Sequence, residues 1–222
     1  MSRVLGVDGC RAGWIAVALE RGRFAAARFA ARFADLVDDE ATVIGVDIPL
    51  GSNGPIRAAD GAARRLLGRR GTSVFDPPPR DVLEAPDHGT ANRWCRERHG
   101  RGVSAQAWNL AHKMLDVEPH WQRAPARIFE VHPELSFAAM AGSVVEDPKR
   151  TWAGHRTRAR LLADVGIGVP DELGAAGGAA PDDVLDAAAV AWSAARIAAG
   201  TQRCVPDPAE HDAAGRPVAI WY

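Results

Sequence analysis

Three separated segments each set an acid at the close of an apolar run: Val4–Asp8 (VLGVD), Val43–Asp47 (VIGVD), and Ile128–Glu130 followed by His132 and Glu134 (IFEVHPE). A fourth group, Asp182, Asp183 and Asp186, opens an alanine-rich stretch near the C-terminus. Carboxylates are hard oxygen donors of the kind that hold Mg²⁺ or Mn²⁺. Two such ions about 3.5–4 Å apart can stabilise the attacking and leaving oxygens of a phosphodiester and activate a water. Holding them takes three or four carboxylates carried on rigid elements. Asp8, Asp47, Asp183 and Asp186 are therefore candidate ligands and catalytic groups. Glu130 is a candidate ligand or neighbouring acid, and His132 a candidate proton shuttle or substrate contact.

Each acid also has a plainer use. Asp8 precedes Gly9 and could bond its own turn, and Asp47 could cap a strand end. Asp182 suits the N-cap of a helix. Capping does not require Asp186, which sits one turn further in. The repeated Gly-Val-Asp weakens the plain reading of the first two, since neighbouring strand-end carboxylates repel unless a cation or a proton intervenes.

The elements that must position these groups follow from periodicity and punctuation. Val4–Asp8, Trp14–Leu19, Arg23–Phe29, Thr42–Asp47 and Arg127–Val131 read as strands, with a tight turn over Asp8–Gly13 and a hairpin at Arg21-Gly22. Phe33–Asp38 reads as a short helix. Ile56–Leu67, Ser104–Val117, Pro133–Met140 and Thr157–Val165 read as longer ones. Asp182–Ala199 has an acidic start suited to the helix dipole and stops at Gly200. Its small alanines would let it lie close on a sheet. Asp76–Arg80 carries three prolines and reads as a rigid loop. Residues 85–103 read as a mobile segment and Gly174–Ala180 as a flexible linker. Pro217–Tyr222 reads as a final strand. Three meandering strands followed by helix–strand units predict an α/β sheet of mixed direction, with strands one, four and five parallel in its centre. Ligands of such sheets gather beyond the carboxyl ends of the parallel strands.

Composition sets the outer limits. A chain of 222 residues fits one domain, here 1–222 with a helical and loop insertion at about 51–120. Net charge is −1, so no overall basic field advertises nucleic acid or membrane. The cations are nearly all arginine, with Lys113 and Lys149 the two lysines. Arg57, Arg64, Arg65, Arg69 and Arg70 cluster after the fourth strand, where they could meet phosphates or form a solvated helix face. Arg11, Arg57, Gln106, Lys113, Lys149 and Arg156 are candidate substrate contacts, with Trp108 and Asn109 beside Gln106 and Trp152 between Lys149 and Arg156. Three spaced cysteines argue against a disulfide framework or zinc site and for a reduced, cytoplasmic setting. The N-terminus lacks the pattern of a signal peptide, and no apolar run approaches about 18 residues, so no membrane association is expected.

Taken in order, Gly6–Trp14 (GVDGCRAGW), Val46–Leu50 (VDIPL), Thr72–Phe75 (TSVF), Gln106–Asn109 (QAWN), Glu130–Glu134 (EVHPE) and Asp182–Ala187 (DDVLDA) together resemble the DUF429 family across nearly the whole chain. That resemblance implies an RNase H-like nuclease fold, a mixed five-stranded sheet flanked by helices. It places one acid on the first strand, one at the end of the fourth and one or more on the last helix; Asp8, Asp47 and Asp186 (or Asp183) match. Ala12 stands where the family has a glycine, and Asp76 where it has proline. The expectation is a Mg²⁺- or Mn²⁺-dependent nuclease or phosphodiesterase acting on DNA, RNA or a small phosphoester. The competing readings are an actin-like phosphotransferase that binds ATP, and an RNase H-like scaffold that binds nucleic acid or protein without cutting.

Overall fold

The computed structural model describes residues 3–37, 40–51 and 56–222. A five-stranded sheet forms from β1 (Arg3–Cys10), β2 (Gly13–Glu20), β3 (Arg23–Ala30), β4 (Ala41–Val46) and β5 (Ile128–Glu130), in the order β3-β2-β1-β4-β5. β1, β2 and β3 are antiparallel neighbours; β4 runs parallel to β1, and β5 parallel to β4. The mixed α/β sheet is as expected, except that β5 closes an edge and does not lie centrally. β1 runs on to Cys10, so Asp8 lies inside the strand and the turn shrinks to Arg11-Ala12. The Arg21-Gly22 hairpin has both residues at positive φ (53° and 73°), the conformation that suits a two-residue hairpin.

Helices cover both faces. One face packs Leu5, Val7, Trp14, Ile44 and Val46 against Met114, Val117 and Trp121 of α4 (Ala111–Arg123). The other packs Val4, Ile15, Val17 and Val43 against α7 (Pro181–Ala198). Between β4 and β5 the chain also forms α1 (Ala58–Leu67), α2 (His88–His99) and α3 (Ala105–Asn109). The segment 85–103, expected to be mobile, is thus largely helical. Asp87 caps α2 by accepting Thr90 N–H (2.8 Å), and Gly100 ends it at φ 67°. The helix expected over Ser104–Val117 is broken into α3 and α4 at Leu110. Phe33–Asp35 is a single 3-10 turn; the expected end of that helix, Asp38, lies outside the described residues.

After β5 come α5 (Pro133–Ala141) and α6 (Trp152–Asp164), the latter starting five residues before its expected beginning because Thr151 caps it. Gly174–Gly178, expected to be a flexible linker, is a 3-10 turn that buries Ala176. α7 matches its expected span. The final strand β7 (Pro217–Trp221) pairs with an unforeseen one, β6 (Cys204–His211). Among the described residues no helix is long and apolar enough to cross a membrane.

The seat of α7 is set by absent side chains. A Cβ on Gly6 would fall 2.0 Å from Ala191 N and 2.2 Å from Ala187 O; one on Gly45 would fall 2.9 Å from Val190 Cγ1. Helix backbone therefore lies directly on strand backbone. Gly6→Ala should force α7 off β1, costing about 3 kcal/mol or more, the upper end for overpacking. A urea unfolding midpoint unchanged from wild type would show that the helix can shift freely.

Candidate active site

Register brings the first two acids together. Val7 pairs with Val46 across the parallel β1–β4 ladder, so Asp8 and Asp47 stand side by side one step on. Asp8 shares its face of the sheet with Val4 and Gly6, the face covered by α7. Because Gly6 admits the backbone of Ala187, Asp186, one residue earlier on α7, reaches the same place. Asp8, Asp47 and Asp186 thus meet at the strand ends, and their carboxylates act on one another: Asp47 and Asp186 both push the Asp8 carboxyl up, on top of its burial. Burial raises Asp47 to about 7, against the pull of Lys149 and a hydrogen bond with Asp8. Asp186 is raised to about 6 by burial, opposed by Lys149. Asp183 lines the same cleft and is raised by burial and then by Asp182.

The cation among these acids is Lys149. Its ammonium donates to Asp186 Oδ2 and lies 3.8 Å from Asp182 Oδ2. Burial lowers its pKa, but Asp186, Asp8 and Asp47 outweigh this and hold it well above its ordinary value. The neighbouring Arg150 reaches Asp182 at 3.2 Å. Sequence reading placed Lys149 with substrate; the fold makes it the counter-charge of the acid cluster.

Glu130 stands apart. Val46 pairs with Glu130, so Glu130 projects from the face opposite Asp8 and Asp47. Its oxygens take Leu50 N–H (2.7 Å) and the buried Arg57 guanidinium (2.7 Å). Burial pushes it to about 7 against the pull of Arg57. Arg57, proposed as a substrate contact, is therefore an internal partner that also lies 3.6 Å from Asp60. The other arginines of that cluster divide: Arg64 bonds Asp76 (2.6 Å) and Arg70 bonds Glu134 (2.9 Å), while Arg65 and Arg69 face solvent.

His132 lies near the cluster, since Asp186 and Lys149 both bear on its titration. Burial lowers its pKa and keeps it neutral near pH 7, and its Nδ1 is buried with no hydrogen-bond partner. The next acid, Glu134, is raised by burial but lowered more by Arg158 and Arg70, and ends below its ordinary value. Arg158 of α6 bonds both Glu134 oxygens (2.9 and 2.7 Å), tying α6 to α5 and so fixing the loop that carries Lys149. Nothing in the sequence singled out Arg158; between Thr157 and Ala159, with Arg156 and Arg160 close by, it reads as one more cation on an arginine-rich helix.

Asp8, Asp47, Asp183, His132, Lys149 and, from the opposite sheet face, Glu130 line a cleft of about 740 Å³, and Asp186 sits behind that lining. Across it lie Arg11 of the β1–β2 turn, Phe75, Trp108, Asn109 and Lys113. Lys113 is spent internally, donating to the Gly13 carbonyl with its ammonium 4.3 Å from the Trp14 ring centroid. Gln106 is exposed and does not line the cleft; Arg156 lies outside it on α6.

The donor set is all oxygen, with Asp8 and Asp186 buried and Asp47 and Asp183 half-buried, which suits a hard divalent cation in chemistry. As folded, its counter-charge is an ammonium, and among the described residues no three His, Cys, Asp or Glu side chains form a ready ligand set. An ion bound at Asp186 would have to displace the Lys149 ammonium from it.

A family model described as "Protein of unknown function (DUF429)" matches residues 6–211. No curated protein and no solved structure matches.

The raised acids give a signed pH dependence. Asp8, Asp47 and Asp186 hold more protons folded than unfolded between about pH 4 and 7, so their contribution to stability is lost as pH rises through that window. His132 works in the opposite sense below about pH 6.5, which makes a difference measurement the clean one. In chelator, Asp8→Asn should melt above wild type at pH 8, by about 2–4 °C per kcal/mol of repulsion relieved, and the gap should close toward pH 5. A gap that is constant with pH would mean that the carboxylates do not interact.

Proposed function

We propose that this chain, which belongs to the DUF429 family, hydrolyses phosphodiester bonds with Mg²⁺ or Mn²⁺, as a nuclease or phosphodiesterase of RNase H-like fold. One observation carries the reading: three aspartates from two adjacent strands and one helix converge on one another, Asp8 and Asp186 buried and Asp47 half-buried. A structural role would not gather Asp47 and Asp186 where both raise the cost of ionising Asp8, and Asp47 that of ionising Asp186. The strand order and the placing of an acid on β1, at the end of β4 and on α7 support the fold assignment.

Divalent ions bound there would supply electrostatic stabilisation of the attacking and leaving oxygens. Asp8, Asp47 and Asp186 would hold them, with Asp183 at the open side. Lys149, once displaced from Asp186, stays on its short loop and offers an ammonium to a phosphate oxygen. The neutral His132 ring can accept a proton near the same place. Glu130 contributes by anchoring Arg57 and the backbone at Leu50, which fixes the segment after Asp47. A reducing, cytoplasmic location belongs to this reading and is supported by three unpaired thiols, Cys10, Cys95 and Cys204.

Asp8→Asn, Asp47→Asn and Asp186→Asn should each retain the circular dichroism of wild type and lose Mn²⁺-dependent cleavage of a fluorogenic oligonucleotide, to below about 1% of the rate. Full activity in all three would remove the site from the chemistry. Lys149→Met should bind Mn²⁺ more tightly than wild type in calorimetry, because the competing ammonium is gone. If neither protein binds Mn²⁺, the non-catalytic scaffold is the right account.

A further inference from the structure

Trp152 is the most exposed of the large apolar side chains among the described residues, at 77%. It opens α6 two residues after Arg150, which with Lys149 supplies the two cations that lie on the acids of α7. Arg156 stacks over its ring, Cζ 5.6 Å from the centroid. Arg160 follows one turn later. At 3.6 residues per turn Trp152, Arg156 and Arg160 fall within an arc of about 80° and span about 12 Å of axis. All three are exposed, and among the described residues neither Arg156 nor Arg160 has an ion pair, whereas Arg158 on the inner face is fully engaged. Asp164, the one carboxylate of this helix, lies a further turn on, at its C-terminal end.

The start of this stripe is rigidly held. Thr151 Oγ1 accepts Gly154 N–H (3.1 Å), and Gly154 is packed so closely on the preceding loop that a Cβ there would lie 2.0 Å from Pro148 O. Lys149, Arg150, Trp152, Arg156 and Arg160 thus form one fixed path, leading from the acid cluster outward over the surface of α6.

We infer that this path binds a single-stranded polynucleotide, its phosphates on Arg156 and Arg160 and a base on Trp152, with the strand running toward the acids. Arginines without carboxylate partners complement a chain of phosphates. An exposed indole has use for a ligand that offers a flat π face. A duplex keeps its bases stacked on one another, and an acidic peptide has no such face. The inference names the substrate class of the proposed hydrolase and in that respect rests on it, but the binding itself needs no metal.

The test is fluorescence anisotropy with labelled dT₁₂ and rU₁₂ in EDTA, against a duplex of equal length, with heparin as a competitor. Wild type should bind both single strands, with affinity falling as salt rises. Trp152→Ala should weaken binding about 5- to 100-fold, and Trp152→Phe should keep most of it. The double variant Arg156→Gln/Arg160→Gln should lower the slope of log affinity against log salt by about 1.4. Asp8→Asn should lose cleavage in Mn²⁺ yet bind at least as tightly as wild type in EDTA, since it removes a negative charge at the end of the path, so loss of cleavage and loss of binding are separable. Equal binding of duplex, displacement by heparin as easily from Trp152→Ala as from wild type, or an alanine variant with undiminished affinity would overturn the inference. Trp152, Arg156 and Arg160 are exposed, so each variant's melting temperature should match wild type, and unchanged melting validates the comparison.

Discussion

The contact of Gly6 with the backbone of Ala187 and Ala191 is the constraint from which the site follows. A helix normally rests on a sheet through side chains of both. Here the strand contributes none at the crossing point, and the helix contributes alanine. The approach removes the space a solvated ion pair would need and buries Asp186 beside Asp8. Ser193, further along the same helix, bonds Ser136 of α5 (2.8 Å), so a buried polar pair holds α7 laterally as well.

Charge is then distributed by face. On the α7 side the fold gathers aspartates and leaves Asp8, Asp47 and Asp186 one lysine, while Arg150 reaches only Asp182. On the opposite side it satisfies Glu130 with an arginine and a backbone N–H. Glu134 lies between these extremes, held ionised by two arginines. The fold has cations enough to neutralise every buried acid, and it withholds them from the one cluster at the strand ends. This selective shortage sets the cluster apart from the ordinary internal ion pairs of Glu130 and Glu134.

Much of this was legible in the residues. The Gly-Val-Asp repeat gave both strands and their acids, and DDVLD followed by alanines gave the helix and the reason it could come close. What stayed hidden depended on tertiary register or on weak local signal. Glu130 ends its strand as Asp47 nearly does, but a single step of parallel register sends it to the other face, and no sequence pattern states register. α2 is poor in apolar residues, so periodicity failed there, although Asp87 and Gly100 were available as start and stop signals. β6 carries Pro206 and Pro208, which weaken any strand signal, and it was not foreseen; its pairing with β7 sets it in place. Lys149 was recognised as a functional cation, but its partner lies 37 residues away on another helix.

Asp186 sits one position before Ala187 on an uninterrupted helix, and that adjacency restricts how the chain can vary in length. Adding or removing one residue between the two would swing the carboxylate about 100° around the axis and out of reach of Asp8. Between β4 and β5, by contrast, the described residues detour through α1, α2, α3 and α4 before returning to the sheet. Lineages of this fold should therefore diversify by growing or trimming that excursion, while the spacing from Asp186 to Ala191 holds constant.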